Sequence, residues 1–211
     1  VDLPNVQSIL FKEHEGSFLV GMIAAMASKT GKVGFIGGMD IPLIRKFQCG
    51  YEQGARYANP KVEVTMNMTG TTPAAWNDPT RGSELAKAQF AKGVDVVFAA
   101  AGGTGIGVYQ AAKDSGRYAI GVDSNQNHLQ PGTMLTSMVK RVDVAVARAM
   151  KGVTPGLTVL GLAENAVDYA QDEHNAKLIT PEMKRRVEAA RADIIAGKIK
   201  VIDYMAANAC K

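Results

Sequence analysis

The feature that most constrains the fold is a run of strand-turn-helix units through the middle of the chain. Short apolar runs rich in valine, isoleucine and phenylalanine alternate with longer mixed segments, and glycine or proline lies between them. Such alternation is typical of parallel strands joined by crossover helices. The sequence therefore predicts an α/β fold with a doubly wound parallel sheet.

The predicted units follow one another without an internal repeat or a low-complexity linker. The central strands are KVGFIGG, VEVTMNMTG, VDVVFAAA and YAIGVD, and helices are predicted over about 42–58, 83–91 and 105–115. A helix over about 15–28 comes before them, and helices over 143–152 and 180–197 come after, the last with Thr180 as N-cap and Pro181 in its first turn. Strands at 6–11, 134–142 and 157–162 lie outside the central block, and we expect them to form a second sheet.

The composition fits a globular protein with a real core. The 211 residues, 46% of them hydrophobic, suffice for one large domain or two small ones. The long apolar stretch FLVGMIAAMA is about half of the roughly 20 residues that a membrane-spanning helix needs. The net charge of +4 comes from interleaved basic and acidic residues, which favours solvated helix faces over a nucleic-acid site. Cys49 and Cys210 lack metal-site or disulfide-scaffold spacing, and we expect plain thiols, which leaves the redox compartment open.

Four candidate ligand-binding features follow predicted strands. In an open α/β sheet, ligands bind at the carboxyl ends of the strands. The first loop there, GGMDIP, contains Met39 and Asp40, and the second, TTPAAWNDPTRG, contains the single tryptophan, Trp76. The third is the glycine-rich turn AAAGGTGIG, and the fourth strand ends on Asp123.

Asp123 is the most informative single residue. It lies about 20 residues after a glycine turn, where dinucleotide-binding folds place a carboxylate that accepts ribose hydroxyls. Any vicinal diol can donate two hydrogen bonds to one carboxylate, and the alternative is that Asp123 caps the next turn through Ser124 or Asn125. The glycine turn departs from G-x-G-x-x-G and has no Walker lysine. It therefore offers backbone N–H groups to a hydroxyl or an anion, or else permits close helix packing.

Two further side chains have both a functional and a structural interpretation. Trp76, in a polar loop at a strand end, is predicted to be a stacking platform for a flat base or a sugar face, and the alternative is a core residue. Lys140, on a predicted strand that leads out of the central block, faces the cleft or is an ordinary surface lysine. The three histidines lack metal-ligand spacing and G-x-S-x-G is absent, which favours binding without turnover.

The chain resembles the basic membrane lipoprotein family, the purine and nucleoside substrate-binding proteins of bacterial ABC importers. The resemblance covers nearly the whole chain in order, in the stretches FKEHEGSFLVGMIAA, GKVGFIGGMDIPLIRKFQCGYEQGA, AAWNDPTRG, DVVFAAAGGTGIGVYQAAK, IGVDSNQ and LTSMVKRV. It implies a type I periplasmic-binding-protein fold, in which the ligand lies between two α/β lobes joined by three crossings of the chain. It assigns residues 1–30 to the N-terminal lobe, 31–134 to the C-terminal lobe and 135–211 mostly to the N-terminal lobe, which is then incomplete.

The resemblance also implies a set of ligand-binding residues: Met39, Trp76, Gly102, Gly103, Asp123 and Lys140. Asp123 and Lys140 would bind the ribose hydroxyls, while the backbone of the two glycines would meet the edge of the sugar. Trp76 would stack on the base or border it, and Met39 would line the cleft. The acidic side chains that read the purine edge in the family have no counterpart here.

The expected function is that of an extracytoplasmic binding protein that delivers a purine nucleoside or nucleobase to an ABC permease. We expect a monomer without enzymatic activity, cofactor, metal or nucleic-acid partner, placed in the periplasm or at the cell surface as a lipoprotein whose signal and lipid anchor are not in this chain. The alternative is an NAD-type dinucleotide-dependent enzyme in which the glycine turn and Asp123 hold an adenosine ribose. A third interpretation is a sensory or transcription-linked member of the same fold.

Overall fold

The computed structural model describes residues 3–210, which contain eight strands and seven α-helices. The strands are β1 (Gln7–Phe11), β2 (Lys32–Met39), β3 (Glu63–Gly70), β4 (Val96–Ala100), β5 (Tyr118–Asp123), β6 (Met134–Lys140), β7 (Gly156–Leu160) and β8 (Val167–Tyr169). The helices are α1 (Glu13–Ala27), α2 (Pro42–Ala58), α3 (Pro79–Ala91), α4 (Thr104–Asp114), α5 (Val142–Lys151), α6 (Pro181–Ile195) and α7 (Tyr204–Ala207). The predicted order of strands and helices through the central block is confirmed.

The main sheet has six strands in the order β3-β2-β4-β5-β6-β8, all parallel except the short edge strand β8. Alternate residues of its strands point to opposite faces. Phe35 and Phe98 belong to a core shared with α1, α2 and α6, whereas Ile36 and Val97 belong to a core shared with α3 and α4. Because helices cover both faces, the central strands are continuous hydrophobic runs, as the sequence shows.

A second, smaller sheet consists of β1 and β7 in parallel. Helix α5 packs on it through Ala145, which joins Leu160 in a separate small core. The predicted place of strand 134–142 in this sheet is wrong. It pairs with β5, with Val122 opposite Met138, because its buried side chains Leu135 and Met138 belong to the core under α1.

The contacts divide the described chain into a large body and a small body. The large body comprises the six-stranded sheet with α1–α4, α6 and α7, and the small body comprises β1, β7 and α5. Helix α1 belongs to the large body because it crosses α2 at very short range. A Cβ at Gly54 would overlap the carbonyl oxygen of Phe18, and one at Gly21 would overlap that of Tyr51. The division of the family's lobes at residues 30 and 134 stays a prediction.

Within the described residues, three crossings of the chain join the two bodies. They lie at Lys12, at Arg141 and over residues 161–166. The amide of Lys12 donates to the carbonyl oxygen of Leu160 at 2.8 Å, and the amide of Arg141 donates to that of Ala166 at 2.8 Å. The first crossing is therefore hydrogen-bonded to the end of β7, and the second to the third crossing, so that the three form one narrow junction.

The two cysteines form a disulfide, which corrects the expectation of plain thiols. Cys49 on α2 and Cys210 have Cα atoms 5.1 Å apart, although 161 positions separate them in the sequence. Sequence spacing could not show this pair because only the tertiary fold brings residues 199–210 against α2. We call residues 199–210 the strap. None of the described helices is long and apolar enough to cross a membrane.

Candidate ligand site

A cavity of about 160 Å³ opens where β4, β5 and β6 end at their carboxyl termini. Its lining combines an apolar wall with a tryptophan, a glycine and one ion pair: Leu43, Ile44, Phe47, Trp76, Ala100, Gly102, Val122, Asp123 and Lys140. Four of the six predicted ligand-binding residues are thus brought together at the edge of the sheet where open α/β folds bind their ligands.

Asp123 and Lys140 form the polar part of the cavity. The Lys140 ammonium lies 3.4 Å from the Asp123 carboxylate, and 56% of the Asp123 side chain remains exposed. Asp123 has a φ of 65°, a left-handed conformation that is uncommon for a residue with a side chain. The resulting pair offers one set of acceptor atoms and one cationic donor to the same ligand edge.

The turn after β5 is held without the Asp123 carboxylate. The amide of Ser124 donates to the carbonyl oxygen of Val122 at 2.8 Å, and the amide of Val122 donates to the side-chain oxygen of Gln126 at 2.9 Å. Among the described residues, no hydrogen bond to the carboxylate of Asp123 is formed. The alternative in which Asp123 caps this turn is therefore not what the structure shows, and the carboxylate is left to face the cavity.

Trp76 combines the two roles that the sequence left open. It is half-buried and packs against the main core, yet it also lines the cavity. Its indole lies directly on the backbone of Gly38, where a Cβ would overlap the ring. Thr104 fixes the loop, because its hydroxyl donates to the Ala75 carbonyl at 2.8 Å and accepts from the Asp78 amide at 2.7 Å. The ring is thus held in one position at the mouth of the cavity.

The glycines of the turn after β4 serve different purposes. Gly102, with a φ of 57°, lines the cavity. Gly107 permits α3 and α4 to touch, since a Cβ there would overlap the carbonyl oxygen of Pro79. Gly103 is the N-cap of α4, lies beside the side chain of Asn77 and does not line the cavity. Both interpretations of the glycine run therefore apply, to different residues.

The apolar wall of the cavity was not among the residues predicted from the sequence. Ile44 and Phe47 lie one turn apart near the start of α2, and Leu43 completes that side of the cavity. The signal was available, because the first turn of a helix after a strand faces the ligand edge in this kind of fold. Met39 ends β2 and does not line the cavity, so its predicted role stays a prediction.

Ionisable side chains lie directly behind the cavity, at the junction of the two bodies. Glu13, His14 and Lys46 are buried, and Asp203 is half-buried. We call Glu13, His14, Lys46 and Asp203 the buried charge cluster. The Lys46 ammonium lies 3.0 Å from Glu13 and 3.6 Å from Asp203, and it donates to the Phe11 carbonyl oxygen at 2.7 Å. The other carboxylate oxygen of Glu13 lies 4.0 Å from Lys140. The cluster is therefore continuous with the ion pair in the cavity.

Burial controls the protonation of His14. Its pKa is lowered from 6.5 to about 4, mainly by removal from water; the carboxylate of Asp203 opposes this shift, and the ammonium groups of Lys46 and Lys12 add to it. The imidazole is therefore neutral at physiological pH. The formal charges around it come from the carboxylates and lysines alone.

Other hollows do not share these features. One of about 400 Å³ lies between the start of α2 and the strap, where Asp40 and Arg45 neutralise one another at 2.7 Å. One of about 610 Å³ lies between α3 and α4 on the outer face. In residues 3–210, no cluster of three or more histidine, cysteine, aspartate or glutamate side chains is arranged to hold a metal ion.

Comparison with known families agrees with the fold. The family model described as ABC transporter substrate-binding protein PnrA-like matches residues 2–175. Basic membrane protein D of Borreliella burgdorferi is 38% identical over 206 residues, which cover 93% of this chain and 59% of that protein. The chain thus spans about three fifths of the length of this curated relative.

Solved structures show the same architecture. A solute-binding protein of an ABC transporter system from Aeropyrum pernix superimposes with a TM-score of 0.85 at 30% identity, covering 96% of this chain and 68% of that one. A transcriptional activator of the comK gene from Bacillus halodurans superimposes with a TM-score of 0.79 at 26% identity, covering 92% and 67%. The type I periplasmic-binding-protein fold predicted from the sequence is confirmed.

Proposed function

We propose a ligand class on one premise: the chain belongs to the PnrA-like family of ABC transporter substrate-binding proteins. On this proposal, the cavity at the ends of β4, β5 and β6 holds a purine nucleoside, which the whole protein delivers to an ABC permease. The observation that carries the proposal is the Asp123–Lys140 pair, 3.4 Å apart, beside an immobilised tryptophan. No step of this function breaks a covalent bond in the ligand.

The ion pair supports a ribose as one part of the ligand. A vicinal diol donates two hydrogen bonds and accepts others, and the Asp123 carboxylate and Lys140 ammonium supply the matching groups. Because the carboxylate is half exposed and has no hydrogen bond from the described residues, a diol would add bonds without breaking any. A free purine base would leave this carboxylate facing water, which makes the nucleobase the second choice.

The remaining surface supports a flat, apolar second part. The Trp76 indole and the side chains of Ile44 and Phe47 present aromatic and aliphatic carbon to the cavity. Stacking on tryptophan favours a large aromatic ring system such as a purine. The volume of about 160 Å³ is below the roughly 300–1,000 Å³ of enclosed small-molecule sites, so the large body would hold one side of such a ligand.

The enzyme alternative has less support. A dinucleotide would place a pyrophosphate on the N-terminus of α4, but Gly103 there is packed beside Asn77 and the turn departs from G-x-G-x-x-G. The family and fold are those of solute-binding proteins. The Bacillus halodurans relative shows that the fold is also described for a transcriptional activator, so a sensory role is the other candidate.

Calorimetric titration of the chain tests the ligand. Adenosine, guanosine and inosine are compared with adenine, cytidine and NAD. Saturable heat with a purine nucleoside, and weaker heat with the free base, is the expected result. Turnover of a substrate in the presence of NAD would overturn the proposal in favour of an enzyme, and saturable heat from free bases alone would overturn the ribose assignment.

Membrane association belongs to the same proposal. We place the whole protein outside the cytoplasm, in the periplasm or at the cell surface as a lipoprotein, because the family serves ABC importers. The Cys49–Cys210 disulfide supports this placement, since disulfides persist mainly in oxidising compartments. Fractionation of cells expressing the whole protein, with and without a reducing agent, tests the placement and the disulfide together.

A further inference from the structure

We propose that Asp203 and Glu13 are positioning residues for the ligand site, and that the disulfide-held strap exists to keep Asp203 in place. The proposal rests on the proposed function, because it concerns how Lys140 is held in the same cavity. It adds a regulatory property, since ligand affinity would then depend on the oxidation of Cys49 and Cys210. Neither cysteine contacts the cavity itself.

The strap is fastened to α2 at several points. Besides the Cys49–Cys210 bond, the side-chain amide of Gln53 donates to the Ile202 carbonyl at 3.1 Å and accepts from the Ile202 amide at 2.8 Å. Ile199 and Val201 of the strap pack against the main core. These attachments place Asp203, which follows Ile202, beside the other members of the buried charge cluster, His14 and Lys46.

The two oxygens of Asp203 have different tasks. One accepts from the Met205 amide at 2.9 Å and caps the short helix α7. The other lies 3.6 Å from the Lys46 ammonium and 3.9 Å from His14. Because asparagine is also a good N-cap, Asp203→Asn keeps the cap of α7 and removes the negative charge that faces Lys46 and His14.

Asp203 frees Glu13 to restrain Lys140. Lys46 is almost fully buried and needs compensating negative charge, which Glu13 and Asp203 share. Glu13 divides its two carboxylate oxygens between Lys46 at 3.0 Å and Lys140 at 4.0 Å. Without the Asp203 carboxylate, Glu13 alone would compensate the charge of Lys46, and the second oxygen of Glu13 would move away from Lys140.

Lys140 has few other restraints on its position. Its ammonium lies 5.8 Å from the centre of the Phe11 ring and 3.4 Å from Asp123, which the ligand is proposed to engage. Glu13 is therefore the buried anchor of Lys140, and the order Asp203, Lys46, Glu13, Lys140 connects the strap to the cavity. A purely structural role for Asp203 would change the binding of every ligand alike, whereas a role through Lys140 affects the sugar only.

The test compares adenosine with adenine in calorimetric titrations of the wild type, Asp203→Asn and Glu13→Gln. We expect the dissociation constant of adenosine to rise about tenfold in both variants, and that of adenine to stay within about twofold. In a Lys140→Ala background, Asp203→Asn should have no further effect. Glu182→Gln, which removes a carboxylate from an exposed pair with Arg185, is the matched control and should leave both constants unchanged.

Reduction provides a second measurement. Cys210→Ser, or wild type treated with a phosphine reductant, should weaken adenosine binding to the same extent as Asp203→Asn and add nothing to that variant. Equal weakening of adenosine and adenine, or unchanged adenosine affinity in Asp203→Asn, would overturn the proposal while leaving the nucleoside function standing.

A readout without ligand separates this proposal from the proposed function. In protein labelled with ¹³C-lysine, the ε-methylene signal of Lys140, assigned with Lys140→Arg, should shift and narrow in Asp203→Asn and Glu13→Gln and stay unchanged in Glu182→Gln. If the wild type binds no nucleoside, the proposed function fails and this signal alone decides. An unmoved signal then overturns the positioning role, and a shifted signal supports it.

Discussion

The large and small bodies of this chain both consist mainly of parallel strands packed against helices, but they bury their strands to very different degrees. In the large body, helices cover both faces of the sheet, and Val96 to Ala100 of β4 are all buried. In the small body, one helix covers one face of two strands. Its outward side chains stay in water, with Leu157 64% and Met150 84% exposed.

The difference shows which part of the molecule determines the site. Every residue that lines the cavity belongs to the large body. The small body instead exposes apolar side chains on α5 and on β7, and exposed apolar surface is of the kind that marks contacts between protein units. The large body thus contains the whole candidate site, and the small body is attached to it through the narrow junction where the buried charge cluster lies.

The largest expected effect is at the contact between α1 and α2. Helix propensity alone predicts that Gly54→Ala stabilises the protein by about 1 kcal/mol. Because the new Cβ would overlap the Phe18 carbonyl oxygen, we expect instead a loss of roughly 3 kcal/mol in the free energy of unfolding. Urea denaturation followed by circular dichroism measures the change.

Gly70→Ala is the matched control for that variant. Its Cβ would lie 3.5 Å from Ala75, an ordinary van der Waals contact, so we expect a small change. A stabilised Gly54→Ala protein would show that α1 does not pack against α2 at this short range.

The second-largest expected effect is a pH dependence of stability that comes from His14 at the junction of the two bodies. Because the pKa of His14 is about 4 in the folded protein and 6.5 when unfolded, the unfolded state binds more protons between these values. The contribution of His14 to the free energy of unfolding is therefore fully present above pH 6.5. It decreases as the pH falls from 6.5 to 4, and below pH 4 it does not change further. We expect a loss on the order of 2 kcal/mol by pH 4.5, measured as the change in urea midpoint.

His14→Gln isolates this contribution, because glutamine does not titrate. Its stability should vary less than that of the wild type between pH 6.5 and 4.5. An unchanged pH dependence in His14→Gln would mean that the imidazole is accessible to water and that the junction is looser than the structure indicates.

The smallest expected effect is on the outer face of the small body. Leu157→Ala removes a side chain that is mostly in water, so the free energy of unfolding should change by less than about 0.5 kcal/mol. Leu160→Ala, on the same strand but buried against α5, should cost roughly 2 kcal/mol. A large loss from Leu157→Ala would show that its face is covered in solution, which sedimentation velocity would detect as self-association.

The sequence predicted helices and their caps better than the pairing of distant segments, for a physical reason. Helix α2 has its predicted limits, and α6 is capped as predicted, since the Thr180 hydroxyl accepts from the Met183 amide at 3.2 Å. These signals are local in the chain. The place of β6 is decided by its partners β5 and β8, so the expectation for strand 134–142 was wrong.

The candidate site divides in the same way. Asp123, Trp76 and Gly102 lie where strand ends and turn chemistry put them. The apolar wall on α2 and the Cys49–Cys210 pair depend on contacts between distant segments, which sequence spacing does not show. The left-handed conformation of Asp123 and the packing of Trp76 on Gly38 depend on the tertiary structure, so the spacing of residues in the sequence does not predict them.

Whether Asp123 binds a sugar diol can be tested by changing the Asp123 side chain and the ligand's hydroxyl groups separately and together. Titration calorimetry compares adenosine with 2′,3′-dideoxyadenosine in the wild type, in Asp123→Asn and in Asp114→Asn, whose exposed carboxylate is remote from the cavity. The wild type and Asp114→Asn should prefer adenosine by at least about tenfold, since hydrogen bonds to a charged group contribute about 1.5–3 kcal/mol. We expect this preference to fall to about twofold in Asp123→Asn, and an unchanged preference in that variant would show that Asp123 does not bind the diol.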